Sequence, residues 1–179
     1  MSGYCLTKDP WFVQHLGEGL GLDLSTPRTS RQVNDTMPAY TFSLVEDLLQ
    51  QQGKNLRDSK VAVLGIAFKN NTGDCRLTPT KYTVALLEQS GCELVIHDPW
   101  VTDEDARTVT SVPLTLDMEQ AVEGADALVF LTGHRQFREF PLTRLAELTA
   151  DTCIFLDGTN SFDPKQVRAA GLTYKGIGR

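Results

Sequence analysis

Four short apolar runs punctuate the second two-thirds of the chain: residues 61–68 (VAVLGIAF), 93–98 (ELVIHD), 127–132 (ALVFLT) and 153–157 (CIFLD), starting 32, 34 and 26 residues apart. They are continuous rather than alternating, which is the pattern of strands covered on both faces. The stretches between them carry helix punctuation. Residues 79–90 open with Thr78 as a cap and Pro79 in the first turn, and close at Gly91. Residues 116–124, 141–148 and 164–170 follow, the last ending before Gly171. Strand–helix units of this length, joined by right-handed crossovers, predict an α/β fold. Over residues 57–179 we expect an open parallel Rossmann-like sheet with helices on both faces.

The region before it has a different rhythm. Ser25-Thr26-Pro27 is a helix start, a hydroxyl cap followed by proline. Val33, Met37, Tyr40, Leu44 and Leu48 then recur at intervals of three and four, one face of a helix that Gly53 ends. Pro38 lies inside and predicts a kink, because its ring excludes the bond to the carbonyl of Asn34. A helix over residues 25–53 is too long for the sheet domain to bury, so it reads as a connection between domains or a dimer contact. Residues 1–24 are dense in reactive groups and read as part of something larger.

Composition excludes several function classes. The 179 residues carry a formal charge of −6 and are 41% hydrophobic. That supplies one packed core, and argues against sequence-independent binding of nucleic acid, which needs clustered Lys and Arg. No apolar run approaches the roughly 18 residues of a membrane span, and no basic stretch followed by an apolar one opens the chain. A cytoplasmic protein is expected. The four cysteines, at 5, 75, 92 and 153, match no zinc spacing and are expected as free thiols, with Cys92 and Cys153 as small buried hydrophobes.

The chemistry-bearing candidates fall into a few clusters. Cys5, Lys8 and Asp9 share one side of a helical turn. An ammonium favours the nucleophilic thiolate, and a carboxylate can position water. Gly65-Ile66-Ala67-Phe68-Lys69 leaves the first strand where open α/β sheets bind ligands, yet it has neither the G-x-G-x-x-G nor the P-loop pattern. Lys69 there can meet a phosphate and Phe68 a base or sugar; the alternative is a core Phe and a solvated Lys. In the polar loop 71–79, Arg76 can reach a phosphate or pair with Asp74 at the surface. Asp98, before Pro99, fits a turn better than a ribose contact. His15 and His134 read as surface or satisfied structural histidines.

Taken in series, Gly3-Tyr4-Cys5-Leu6-Thr7-Lys8-Asp9-Pro10, Gln32-Val33-Asn34-Asp35 with Pro38, Leu64-Gly65-Ile66-Ala67-Phe68-Lys69, Thr72 to Asp74 with Arg76 to Pro79, His97-Asp98-Pro99 and Gly176-Ile177-Gly178-Arg179 resemble the UDP-glucose/GDP-mannose dehydrogenase family. The likeness runs through the whole chain, and Asp9-Pro10-Trp11-Phe12 resembles the UDP-N-acetylmannosamine branch more than UDP-glucose dehydrogenase. Three positions depart from the pattern, two of them near the cysteine: Ser2-Gly3 stands for Gly-Gly, and Thr7 for a frequent Pro. Thr159 stands near a position that often carries Arg, which bears on a substrate contact between subunits.

The resemblance implies a C-terminal part, with residues 1–24 carrying the catalytic cysteine, 25–53 the connecting and dimerising helix, and 57–179 the UDP-sugar-binding domain. The N-terminal NAD-binding domain is then a missing partner. It also implies NAD-dependent oxidation of a UDP-hexose to its uronic acid in two hydride transfers, through a thiohemiacetal and a thioester on Cys5. Asp9 assists water, and Lys8 lies beside thiol and cofactor. Arg76 reaches the cofactor's phosphates, and Gly3, Phe68, Lys69 and Thr159 meet the substrate. A homodimer through the 25–53 helix is expected, and residues 1–179 alone are expected to be inactive. The competing expectations are a standalone nucleotide-binding or dimerisation module without catalysis, and a receiver- or flavodoxin-like regulatory domain. The last is disfavoured because no acidic pair and no phosphate loop follow the first strand.

Overall fold

A computed structural model of the chain describes residues 4–178, with side chains from Thr7 onward. In chain order the elements are α1 (Tyr4–Gly19), α2 (Ser25–Gln51), β1 (Lys60–Leu64), α3 (Thr80–Ser90), β2 (Glu93–His97), α4 (Asp103–Ala106) and α5 (Met118–Val122). There follow β3 (Ala127–Phe130), α6 (Arg135–Glu139), α7 (Leu142–Leu148), β4 (Ile154–Asp157), α8 (Pro164–Ala169) and β5 (Thr173–Gly176). All four neighbouring strand pairs are parallel, in the order β2-β1-β3-β4-β5. The expected α/β architecture is therefore the observed one, with one strand more. β5 escaped the sequence reading because Thr-Tyr-Lys-Gly is an edge strand with a single large apolar residue, Tyr174.

The continuous runs behave as two-faced strands should. β1, β3 and β4 are buried along almost their whole length, and the period of two sends successive residues to opposite faces. Val61, Val63, Val129 and Leu156 meet Val45 and Leu49 of α2 and Val84 and Leu87 of α3. On the other face Leu64, Leu128, Phe130 and Phe155 meet Phe137 of α6, Leu145 of α7 and Val167 of α8. Phe130 stacks on Phe155 at 4.5 Å between ring centres. The two caps expected shift: α2 begins at Ser25 itself, behind Leu24 with no side-chain cap, and α3 begins after Pro79, with Thr78 Oγ1 accepting from Thr80 N–H at 3.4 Å. Aspartates cap α5 and α8. The Asp117 carboxylate accepts from the amides of Glu119 and Gln120, Asp163 accepts from Lys165 N–H, and Pro164 occupies the first turn of α8.

The α2 helix runs unbroken through Pro38. Its 27 residues span about 40 Å. It closes with Gly53 in the left-handed region, Lys54 N–H bonded to Leu49 O and Gly53 N–H to Gln50 O. The buried stripe is Pro38, Thr41, Val45 and Leu49, one position on from the stripe expected. Met37, Leu44 and Leu48 flank it half-buried, while Val33 and Tyr40 are 57% and 46% exposed. Thr41 enters the core because its hydroxyl bonds the Met37 carbonyl one turn back, so a polar residue fills a core position that an apolar period cannot show. Residues 4–19, which carry the cysteine motif, form a helix of their own that packs on α2.

Candidate functional site

After β1 the chain adds β2 on one side, then returns to add β3 on the other. The crevice at the carboxyl ends of β1 and β3 is thus the topological switch point, where open α/β sheets place ligands. The loops leaving β1, β2 and β3 converge there. Gly65 turns the first of them at φ +89°, presenting the amides of Ile66 and Ala67. A buried carboxylate already holds both: Asp98 Oδ2 accepts from Ile66 N–H at 2.8 Å, from Ala67 N–H at 3.1 Å and from His134 Nε2 at 3.1 Å. Its Oδ1 accepts from Trp100 N–H at 2.9 Å. Burial pushes the Asp98 carboxyl up, but the hydrogen bonds from His134, Trp100 and Ile66 outweigh it, so its pKa lies below the ordinary carboxylate value. The turn expected at Asp98 exists, and the same side chain also takes up the two amides that the β1 turn presents. His134 is fully buried and satisfied, not a surface residue. His15 is exposed.

The loop 68–74 is a closed excursion, its neck tied by Phe68 N–H to Asp74 O at 2.9 Å. Phe68 is half-buried and Lys69 exposed at its tip. Side chains tie the loop to the exit of β3. Asn70 Oδ1 accepts from Gly133 N–H, Asn71 Oδ1 from Arg135 N–H, and Asn71 N–H donates to His134 Nδ1.

Beyond it, Arg76 pairs with Asp74 through Nε at 2.9 Å and Nη2 at 2.8 Å. The side-chain and backbone hydrogen bonds from Arg76 hold the Asp74 carboxyl down at about 2. The surface pair is therefore present, and it leaves the guanidinium facing solvent. Arg76 and Leu77 line a cleft of about 680 Å³ together with Thr7 of α1, Arg31 and Asn34 of α2, and Lys81 and Tyr82 of α3. Leu77 adopts φ +55°, an uncommon strain for a side chain half open to that cleft. Asn34, Pro38 and Pro79 also line a smaller cavity of about 190 Å³ that reaches Gly158 and Ile177 at the ends of the sheet.

The positions singled out in the sequence thus divide. Thr7, which sits between Cys5 and Lys8 on α1, shares one cleft with Arg76. Lys8 and Asp9 are exposed. Gly3 and the Cys5 side chain lie outside the described residues, although the helix sets positions 5, 8 and 9 on one face. Phe68, Lys69 and Thr159 do not line that cleft. Thr159 is half-buried, and both its amide and its hydroxyl donate to Asp157 Oδ1, at 3.0 and 2.9 Å. Buried Asp157 also accepts from Ser161 and Phe162 N–H and from the Tyr174 hydroxyl, so it shapes the β4 exit as Asp98 shapes that of β1.

Burial disfavours the thiolate at the three cysteines whose side chains are described. Burial first, and then the charges of Asp98, Asp105 and Asp74, push the Cys75 thiol up to about 12. Burial does the same for Cys153, and raises the half-buried Cys92 as well. At pH 8 a pKa near 12 leaves a thiolate fraction of about 10⁻⁴. An aromatic disulfide reagent is expected to leave Cys75 and Cys153 unmodified in the native chain and to label both after denaturation. Rapid native labelling of either, mapped by peptide mass spectrometry, contradicts this assignment.

A model for the UDP binding domain of the UDP-glucose/GDP-mannose dehydrogenase family matches residues 62–164. The chain belongs to this family. It is 30% identical to the UDP-N-acetyl-D-mannosamine dehydrogenase of Pyrococcus horikoshii over 100% of the chain, and 28% identical to the UDP-glucose 6-dehydrogenase TuaD of Bacillus subtilis over 99%. It spans 39% and 38% of the lengths of those two relatives. Among solved structures it superposes on the NDP-N-acetyl-D-galactosaminuronic acid dehydrogenase of Methanosarcina mazei Go1 with a TM-score of 0.86 at 31% identity, covering 100% of the chain and 38% of that protein. A UDP-D-ManNAc dehydrogenase from Pyrococcus horikoshii superposes with a TM-score of 0.83 at 29% identity, with 100% and 39% covered.

Proposed function

We propose that residues 1–179 form the nucleotide-sugar half of an NAD-dependent UDP-sugar 6-dehydrogenase acting on UDP-N-acetylmannosamine or a related UDP-hexose. The observation that supports this reading is the cleft lined by both Thr7 of α1 and Arg76, since Thr7 lies in the turn that carries Cys5, Lys8 and Asp9. The β1 turn does not fit a dinucleotide, since its amides are bound to Asp98. We therefore assign the cofactor's cradle to a domain outside these residues, with Arg76 reaching the cofactor's phosphates across the cleft.

NAD, when bound, supplies the hydride acceptor for both oxidations. The work of this chain is nucleophilic. Cys5 adds to the C6 aldehyde as thiolate, forming a C–S bond and a thiohemiacetal, with Lys8 favouring the ionised sulfur. After the second oxidation Asp9 takes a proton from the attacking water, the C–S bond breaks and the uronate leaves. Lys69 and Phe68 hold the nucleotide sugar, with Gly3 and Thr159 at its periphery. Homodimerisation through α2, helped by exposed Trp11, Phe12, Leu16 and Tyr40, belongs to the same reading.

Calorimetric titration tests it. The chain is expected to bind UDP and UDP-N-acetylmannosamine in preference to GDP and NAD, and to form no NADH with the sugar nucleotide. Lys69→Ala removes one charge-assisted phosphate contact and is expected to weaken UDP about 10–100-fold, while Arg76→Ala leaves UDP within twofold. Tighter binding of NAD than of UDP overturns the reading.

A further inference from the structure

Within itself the β1 exit loop is held by Phe68 N–H on Asp74 O at its neck and by the Thr72 hydroxyl on Lys69 O at 3.0 Å. Lys69, Asn70 and Asn71 are exposed and Phe68 is only half-buried, so the loop lacks an apolar anchor. Its form rests as well on polar ties to the β3 exit, and one of these runs through a side chain with no exposure at all. His134 lies between Asn71 N–H, 2.8 Å from Nδ1, and Asp98 Oδ2, 3.1 Å from Nε2, with its ring edge-on to Phe137 at 5.4 Å between centres. A backbone amide can only donate, so Nδ1 accepts and the proton of the neutral ring sits on Nε2, directed at the carboxylate. The bonds form one line: β1 turn amides to Asp98, Asp98 to His134, His134 to Asn71. Asn71 is the residue held at φ +57°, where its side chain oxygen also receives Arg135 N–H.

We propose that His134 is a positioning residue, whose Nδ1 lone pair holds Asn71 in its left-handed turn and thereby sets Lys69 for the phosphates of the ligand. The ligand half of this assignment rests on the uridine-nucleotide reading above; the shape of the loop does not. The line of bonds gives the buried histidine a task besides packing. The Thr132 hydroxyl, 2.6 Å from Ala67 O, ties the exits of β1 and β3 independently of it. The two ring nitrogens also have separable duties. An asparagine at 134 carries an amide oxygen near the place of Nδ1 and can keep the tie to Asn71, whereas leucine keeps volume and neither bond.

The test uses the full 179-residue chain and three readouts. Nitrogen-15 spectra of the native protein are expected to show His134 protonated at Nε2 and bare at Nδ1. His134→Leu is expected to speed exchange of the Asn71 amide at least tenfold relative to the strand amides of β1 and β3, and to weaken UDP about tenfold. His134→Asn is expected to recover both to within about threefold of the native chain. A role confined to stability moves all amides together and leaves UDP affinity of the folded chain unchanged. A proton on Nδ1, or native Asn71 protection in His134→Leu, overturns the assignment. Should His134→Leu fail to fold, the native spectrum and His134→Asn still decide it. Should the native chain not bind UDP, the nucleotide reading fails by itself, and the tautomer and the Asn71 exchange still decide the shape of the loop.

Discussion

Asp98→Ala is expected to lower the unfolding free energy by about 3–5 kcal/mol, a large part of what a domain of this size possesses. The reason lies in what the carboxylate leaves behind. Its two oxygens receive four donors, the amides of Ile66, Ala67 and Trp100 and Nε2 of His134. Ile66, Ala67 and His134 are buried, and water cannot replace the lost acceptor without opening the crevice. Asp98→Asn keeps the volume and one acceptor. If its oxygen takes the place of Oδ2, its amide nitrogen faces the Trp100 donor, so a smaller loss is expected than for alanine. Urea denaturation at neutral pH checks both, and a loss under about 1 kcal/mol for alanine sinks the argument. The pH dependence has a definite sign. The folded carboxyl has a pKa below the unfolded value of about 3.9, so in acid the unfolded chain binds more protons. The stabilisation is complete above that value and is lost as pH falls toward the folded pKa. Asp98→Ala is expected to remove this part of the acid sensitivity.

The same residue shows why the sequence announced the fold better than the site. A continuous run such as ALVFLT is local: its neighbours in the sheet are implied by its own composition, and the burial of β1, β3 and β4 follows. The end of α2 was local too, in Gly53. The α2 stripe slipped by one position because Thr41 is buried through a bond to its own helix, and hydrophobic spacing passes over a threonine. The site has no such local signature. Asp98 is 32 residues from Ile66 and 36 from His134, and Asn71 is 63 from His134. A histidine after a strand and an aspartate before a proline each have an ordinary reading, and only the crossovers that bring three loops to the switch point make them one unit. Thr159 adds a bond that no local pattern shows: the resemblance marks it for a substrate contact, and in the fold its hydroxyl also donates to Asp157. Arg31 and Thr7, which line one cleft with Arg76, could have been found only by knowing that α1 packs on α2.

Gly65→Ala is expected to be at least as damaging as Asp98→Ala, and a second glycine separates the two causes. Gly65 has φ +89°, where an L side chain is strained, and an added Cβ would lie 2.5 Å from Thr132 Cβ and 2.9 Å from Thr132 N. The second distance is to backbone, so no rotation of a side chain relieves it. Nor can the backbone retreat freely. Gly65 N–H bonds His97 O, Leu131 N–H bonds Leu64 O, and the Thr132 hydroxyl holds Ala67 O, so the exits of β1, β2 and β3 are tied across this point. Gly171 has a similar φ, +97°, but nothing within 4 Å of an added Cβ. Gly171→Ala therefore carries the conformational strain alone, about 1–2 kcal/mol. Gly65→Ala carries that strain plus a collision that must spread the switch point, for a total above about 4 kcal/mol. The difference between the two midpoints in urea, at equal m, measures the closeness of approach at the base of the site. Because the spread would also pull the 68–74 loop from the β3 exit, any Gly65→Ala protein that still folds is expected to lose the protection of the Asn71 amide. Equal losses for the two variants would mean that the crevice is slack, and a slack crevice could not hold Lys69 in one place.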